Sequence, residues 1–394
     1  MDIYTPRLLF LIAMVAGVGI LLWKDRDKVE RHSILFFRRT KRGVAFIDKV
    51  ASAHPKFWDR YGWVGVIAGV ISIPIVAGNI GYAVFQSLSS GGASNGGVSF
   101  IAPGLVSQNQ FQAGVSFVPV EYWVISIGIL MIVHEFSHGI VARSQGFEIN
   151  SVGWIIFGII PGAFVEPKGE NMLPGGESGE HDTGLWDQGT WTERLKVLAA
   201  GSWANYLTAG IFFLAALGVS AGVTQPSGVF YMAQDGMPAQ EAGMNNGTLY
   251  AVNGQRLSNV DELMNISQDI APGEQVTVWT SEGNFTLTTV AQNDSERGFM
   301  GVQVGEGREM KESLSEYQSG FEWFISLLET IAFLNLGIGF FNMLPAKPLD
   351  GGQMLETFVD HYSDGNETYL GWVNSFSLFV WLMIIGLMVA AIAL

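Results

Sequence analysis

Cysteine is absent from the 394-residue sequence, which excludes a disulfide framework, an iron–sulfur cluster and a thiolate zinc site. Charge is scarce as well: Asp, Glu, Lys and Arg make up 14% of the chain, against about 25% in an ordinary soluble domain. Cations are scarcer still, 21 Lys and Arg against 36 Asp and Glu, for a net charge of −15. A nucleic-acid binder working through a general basic surface is thereby excluded, because phosphate contacts need clustered Lys and Arg. In place of charge the chain carries apolar side chains, 48% of its residues. Its length suits a membrane domain with one small additional domain.

Six apolar stretches approach the roughly 20 residues that cross a bilayer. They cover residues 8–23, 63–86, 122–142, 195–223, 321–344 and 370–394. The first runs straight into a charged segment without a small-residue cleavage site, so it reads as an anchor and not a removable signal. A seventh stretch, 149–165, is short and interrupted by Gly153, Gly158, Pro161 and Gly162. Such backbone is tolerated at membrane depth only where protein or a wet cavity covers it, which predicts a re-entrant or interfacial segment. Residues 24–60 hold 11 Lys and Arg and residues 87–119 hold none. The positive-inside rule places the first of these in the cytoplasm and the second outside. Counting spans onward puts 143–194 inside, 224–320 outside, and both termini outside.

Residues 224–305 change character, with shorter apolar runs, Gly and Asn punctuation, and Val/Thr alternation at 275–279 and 285–289. These are strand and turn signals. Within 235–263, Met237-Pro238-Ala239 opens a short helix, followed by Ala242-Gly243-Met244, a hairpin turn at Val252-Asn253-Gly254, and a second helix from Asn259. The stretch resembles a bacterial-type PDZ domain. The resemblance implies a groove that takes an extended peptide by strand addition, although Gly228-Val229-Phe230 departs from the usual peptide-binding loop. A generic small α+β spacer is the plainer alternative.

His134-Glu135-Phe136-Ser137-His138 lies in the third span, near its cytoplasmic end. Four residues of helix advance about 400°, so both imidazoles fall on nearly one face, one turn apart. That spacing lets two neutral nitrogens hold one zinc ion, with Glu135 beside the water that the metal acidifies. Ionisable side chains in a spanning helix cost on the order of 2–3 kcal/mol each unless partnered, and they mark functional sites. A polar cluster binding nothing, or a structural metal, is the alternative. A catalytic zinc site needs a third protein ligand. His181, Asp182 and His361 are candidates, and Asp350 is the better one. It directly follows a span in Asn342-Met343-Leu344-Pro345-Ala346-Lys347-Pro348-Leu349-Asp350-Gly351-Gly352, where two prolines and two glycines force an irregular turn that can aim a carboxylate into the bundle.

Here the sequence resembles the site-2 protease family of intramembrane zinc metalloproteases. The resemblance rests on HExxH in one span, Leu349-Asp350-Gly351 after a later one, and Gly201-Ser202-Trp203-Ala204-Asn205 as the family's Gly-x-x-x-Asn. It departs at Ala346-Lys347-Pro348, which lengthens the turn before Asp350. The fold it implies is an α-helical polytopic membrane protein of about six transmembrane helices with a small external α+β PDZ-like domain inserted. The chain then divides into 1–120, an N-terminal membrane region; 121–223, the first half of the catalytic core; 224–305, the PDZ-like domain; and 306–394, the second half of the core. One zinc ion per chain would sit on His134, His138 and Asp350, with Glu135 as the proton acceptor. Asn205 and Asn342 are the candidates for oxyanion or substrate contacts, with helix-packing hydrogen bonds as their alternative role. Residues 155–165 followed by Glu166-Pro167 look like the family's membrane-embedded strand or hairpin near the substrate path. The expected partners are transmembrane protein substrates, the lipid bilayer and a peptide ligand of the insert. The expected location is the cell membrane, with the active site toward the cytoplasm. A non-proteolytic metal transporter and a membrane-helix-binding chaperone are the rival readings; no internal repeat supports the transporter.

Overall fold

An apolar run closed by Lys24 forms the first helix, α1 (Tyr4–Lys24). The computed structural model describes residues 4–32, 35–89, 99–106, 109–110, 114–157, 160–167, 185–234, 236–291 and 297–393. The chain separates into two compact units, Met1–Ala215 with Ser326–Leu394, and Ala216–Ile325. After α1 come two strands, β1 (Glu30–His32) and β2 (Leu35–Thr40), then α2 (Arg42–Ala53) and the long α3 (Pro55–Ser89). A parallel pair, β3 (Ser99–Gly104) and β4 (Gly114–Pro119), leads into α4 (Val120–Ser144). Gly146 ends α4: its φ of +93° is open to glycine. There the Gly146 N–H donates to Arg143 O and the Phe147 N–H to Ala142 O, the paired bonds of a Schellman cap.

The cap turns the chain into an antiparallel hairpin, β5 (Ile149–Phe157) and β6 (Ile160–Pro167). The strand or hairpin that the family resemblance implies for this stretch is present, within a sheet of order β1-β2-β5-β6. Gly153, which reads as a helix breaker, serves the pairing: a methyl there would strike the Arg38 carbonyl and lie 2.7 Å from the Phe164 ring. A short α5 (Leu185–Gln188) precedes α6 (Trp191–Val223).

In the second unit β7 (Thr224–Ala233) is followed by α7 (Pro238–Glu241), β8 (Asn246–Val252), β9 (Gln255–Arg256), α8 (Val260–Gln268), β10 (Gln275–Thr280), β11 (Gly283–Thr288), β12 (Val290–Ala291), β13 (Gly298–Phe299) and β14 (Val302–Met310). The main sheet runs β11-β10-β8-β7-β14. Val276 and Val278 of β10 point inward with strand period, joining Val229, Tyr231, Leu249, Val252, Leu263 and Leu287 in one core. The β8–β9 turn takes Asn253 and Gly254 at φ +46° and +81°. Asn259 caps α8, its side chain accepting from Glu262 N at 2.9 Å.

The chain continues through α9 (Gln318–Asn342), α10 (Asp350–Tyr362) and α11 (Glu367–Ala393). Among the described residues six helices are long and apolar enough to cross a membrane: α1, α3, α4, α6, α9 and α11. Each of the six apolar stretches falls on one of them.

Candidate metal centre

Spacing along α4 sets one face inward: Ser126, Leu130, His134, Ser137 and Val141 are all buried. His134 and His138 stand one turn apart on that side, ring centroids 4.6 Å apart and planes at 82°. Helix α6 crosses them at Gly201. A methyl there would lie 2.6 Å from His134 Cε1 and 2.7 Å from its Nδ1, and would also strike His138 Nε2. Only a residue without a side chain admits α6 this close.

Asp350 stands in the first turn of α10, where the helix dipole favours a carboxylate. The turn before it is buried at Met343, Leu344 and Ala346. The longer Ala346-Lys347-Pro348 segment is held by Trp381, whose Nε1 donates to Lys347 O at 2.9 Å, and by Lys347 N donating to Ser377 Oγ at 3.2 Å. Lys347 Nζ also meets Glu356 Oε1 at 2.6 Å.

Three donor atoms meet as a result. Asp350 Oδ2 is 3.4 Å from His134 Nε2 and 3.5 Å from His138 Nε2, and the two nitrogens are 3.1 Å apart. Two ligands at about 2.0–2.1 Å from one tetrahedral zinc lie about 3.3 Å apart, so the triangle is of the size that ion needs. Asp350 Oδ2 is buried with no hydrogen-bond partner, and an orphaned carboxylate oxygen facing two imidazole nitrogens is a site for a cation. The donor set fits zinc.

The surrounding contacts orient the two rings. His138 Nδ1 lies 2.7 Å from Val197 O, so that nitrogen donates and Nε2 keeps its lone pair for the centre. Asn205 lies behind His134, Nδ2 at 3.1 Å from Nδ1, with its own Oδ1 buried and unpartnered. Turning the amide over lets Oδ1 accept the Nδ1 proton, which presents His134 Nε2 to the centre in the same way. Asn342 stands on the Nε2 side, its Nδ2 at 3.3 Å from His134 Nε2. Glu135 Oε2 accepts from Val165 N of β6 at 3.1 Å.

The other ligand candidates stand apart from this group. His361 stacks on Trp191 at 4.6 Å with planes at 13° and is not one of the three converging residues. His181 and Asp182 lie outside the described residues. Sequence reasoning gave no role to several supports. Tyr61 OH is 3.0 Å from Ser137 Oγ, which donates to Ala200 O at 2.8 Å, tying α3, α4 and α6 together inside the HExxH turn. Glu166 is buried and accepts from Ser151 Oγ at 2.7 Å and Arg39 Nε at 3.3 Å, linking β6 to β5 and β2. The apolar run Leu35-Phe36-Phe37 inside a charged segment was the available signal for β2.

Comparison with known proteins agrees with this geometry. The family model of peptidase family M50 matches residues 122–384, well over half of the chain. An uncharacterized protein of Methanocaldococcus jannaschii is 25% identical over 415 residues, with 98% of each chain covered. Two proteins named "Putative zinc metalloprotease" are also similar. That of Clostridium perfringens is 24% identical, covering 59% of this chain and 84% of its own. That of Brucella suis is 25% identical, covering 58% and 82%. The matched region carries every residue of the histidine–aspartate triangle, and the chain belongs to peptidase family M50, a multi-pass membrane zinc metalloprotease.

Proposed function

We propose that the protein hydrolyses peptide bonds within or near transmembrane helices of membrane-bound substrates, with His134, His138 and Asp350 holding one zinc ion. The observation that carries this reading is the convergence of three donor atoms on helices of the membrane core, one residue from Glu135. When bound there, zinc supplies a Lewis acid that acidifies a water molecule and polarises the scissile carbonyl. Glu135 accepts the proton from that water and delivers it to the leaving amine nitrogen as the C–N bond breaks. The Val165 N–H, held on Oε2, fixes where the carboxylate stands. Asn342, on the Nε2 side of His134, would donate to the developing oxyanion; Asn205, on the Nδ1 side, orients the ring. Substrate helices hide their carbonyls in internal hydrogen bonds, so a few residues must unwind before attack. The test is Glu135→Gln, which keeps the shape of the side chain but cannot take the proton. It should retain zinc and fold and lose hydrolysis of a single-span peptide by about 10²–10⁴-fold. A variant that cuts at the wild-type rate would sink the mechanism.

The charge asymmetry supports a topology with 24–60 in the cytoplasm and 87–119 and the inserted unit outside. We further propose that the insert is PDZ-like, on the strength of the Met237-Pro238 helix start, the Asn253-Gly254 turn and the Asn259 cap. Its β7 already has β8 on one edge and β14 on the other. An extended peptide would therefore join the outer edge of β14, or displace that strand.

A further inference from the structure

Segment 41–60 carries Lys41, Arg42, Lys49, Lys56 and Arg60 against two acids, Asp48 and Asp59. Both acids are already paired within the fold: Asp48 with Arg143 of α4, and Asp59 with Lys196 of α6, whose Nζ donates to it at 2.6 Å. Lys41, Arg42, Lys49 and Lys56 are exposed and form no ion pair among the described residues. Between them stand two phenylalanines with their rings out, Phe46 at 55% and Phe57 at 57% exposure. The opposite side of α2 is buried through Ile47 and Ala51. A helix with apolar aromatics set among cations on one face is suited to the boundary between headgroups and acyl chains.

Its place in the fold agrees. Helix α3 has 35 residues, about 52 Å of helix, against a hydrocarbon core of about 30 Å. Its last charged residue is Arg60; from 61 to 89 there is none. The first two turns of α3 therefore stand in the headgroup zone, with the exposed Trp63 as an interfacial aromatic, and α2 joins them directly at His54.

We propose that α2 and the start of α3 dock anionic phospholipid headgroups on the face made by Lys41, Arg42, Phe46, Lys49, Lys56 and Phe57. An acidic peptide would satisfy the cations but leave the two exposed rings in water; a lipid surface accommodates both. The face is coupled to the metal centre. The Phe46 ring meets Phe136 edge-on at 5.9 Å, next to Glu135, and Ile47 fills the space beside Gly139, the residue after His138. Headgroups bound here brace the HExxH turn from outside.

The inference stands apart from the proteolytic reading, because its test measures lipid selectivity and not cleavage. The full chain is reconstituted into phosphatidylcholine, and the immobilised fractions of spin-labelled phosphatidylglycerol and phosphatidylcholine are compared by electron paramagnetic resonance. Wild type should prefer the anionic label, more strongly at low salt. The variant Lys41→Gln/Arg42→Gln/Lys49→Gln/Lys56→Gln should lose roughly fivefold or more of that preference. The charge-keeping variant Lys41→Arg/Lys49→Arg/Lys56→Arg should keep it, and Arg256→Gln on the inserted unit should leave it unchanged. Should the fourfold variant not fold, Lys49→Gln alone must still lower the preference. Undiminished preference in the neutralised protein, or none in wild type, as an acidic protein partner would give, overturns the proposal.

Discussion

Replacing Gly201 by alanine tests whether the close approach of α6 builds the centre. Alanine is the better helix former by about 1 kcal/mol, so a helix that did not need the contact would be stabilised. Here the new methyl would stand 2.6 Å from His134 Cε1 and 2.7 Å from Nδ1, and closer to His138 Nε2. Ordinary contact begins near 3.4 Å, so the rings or α6 must yield most of an ångström. Overpacking of this kind costs about 1–3 kcal/mol, which outweighs the propensity gain. The two displaced groups hold two corners of the triangle, and a misplacement of about 1 Å costs about 10²-fold in rate. Gly201→Ala should therefore lower zinc retention against a graded chelator by about 10–100-fold and cleavage by about 10²-fold, with the helical circular dichroism intact. Gly210→Ala is the internal control: it lies on the same helix, and its methyl would meet open space. If Gly201→Ala binds zinc and cuts like wild type, or if Gly210→Ala is equally damaging, the close-approach argument is refuted.

Asp350→Ala should leave two histidines and lose most of the zinc measured by elemental analysis; full occupancy would remove Asp350 from the coordination sphere and direct attention to His361 or His181. Asn205→Leu takes away the acceptor behind His134 and should weaken zinc binding by about 10–100-fold, whereas Asn205→Asp, a stronger acceptor, should hold it; equal retention in both would remove the orienting role. Replacing residues 224–310 by a short linker removes no histidine, so cleavage of a short unstructured transmembrane peptide should stay detectable in a folded, zinc-loaded variant, and total loss would place part of the chemistry in the insert.

What was legible in the sequence follows the distance over which each feature is specified. The His134–His138 pair is set by four residues of helix, and the six apolar runs report their own length, so both could be read locally. The β1-β2-β5-β6 sheet could not. Leu35 pairs with Phe157 and Thr40 with Val152, across more than a hundred residues, and nothing in 24–60 besides the four apolar residues 34–37 ahead of Arg38 announces a strand. The β5–β6 hairpin lacks the alternation that marks a half-buried strand, because both faces are covered: Ser151, Val152, Ile156, Phe164 and Val165 are all buried. A continuous apolar run broken by glycines then reads as a re-entrant or interfacial segment, and only the family resemblance points to a strand or hairpin. Asp350 is intermediate. Its turn is local, but its aim depends on Trp381 and Ser377 of α11, which grip Lys347 from some thirty residues downstream. The same reasoning separates the two asparagines. From sequence, Asn205 and Asn342 are equivalent amides at similar depth; in space one faces Nδ1 of His134 and the other Nε2. Opposite nitrogens of a single ring suit the different roles proposed above, orientation of the ligand for Asn205 and a donor to the oxyanion for Asn342. The distinction arises only where α6 and α9 meet α4, and no spacing within either helix could have carried it.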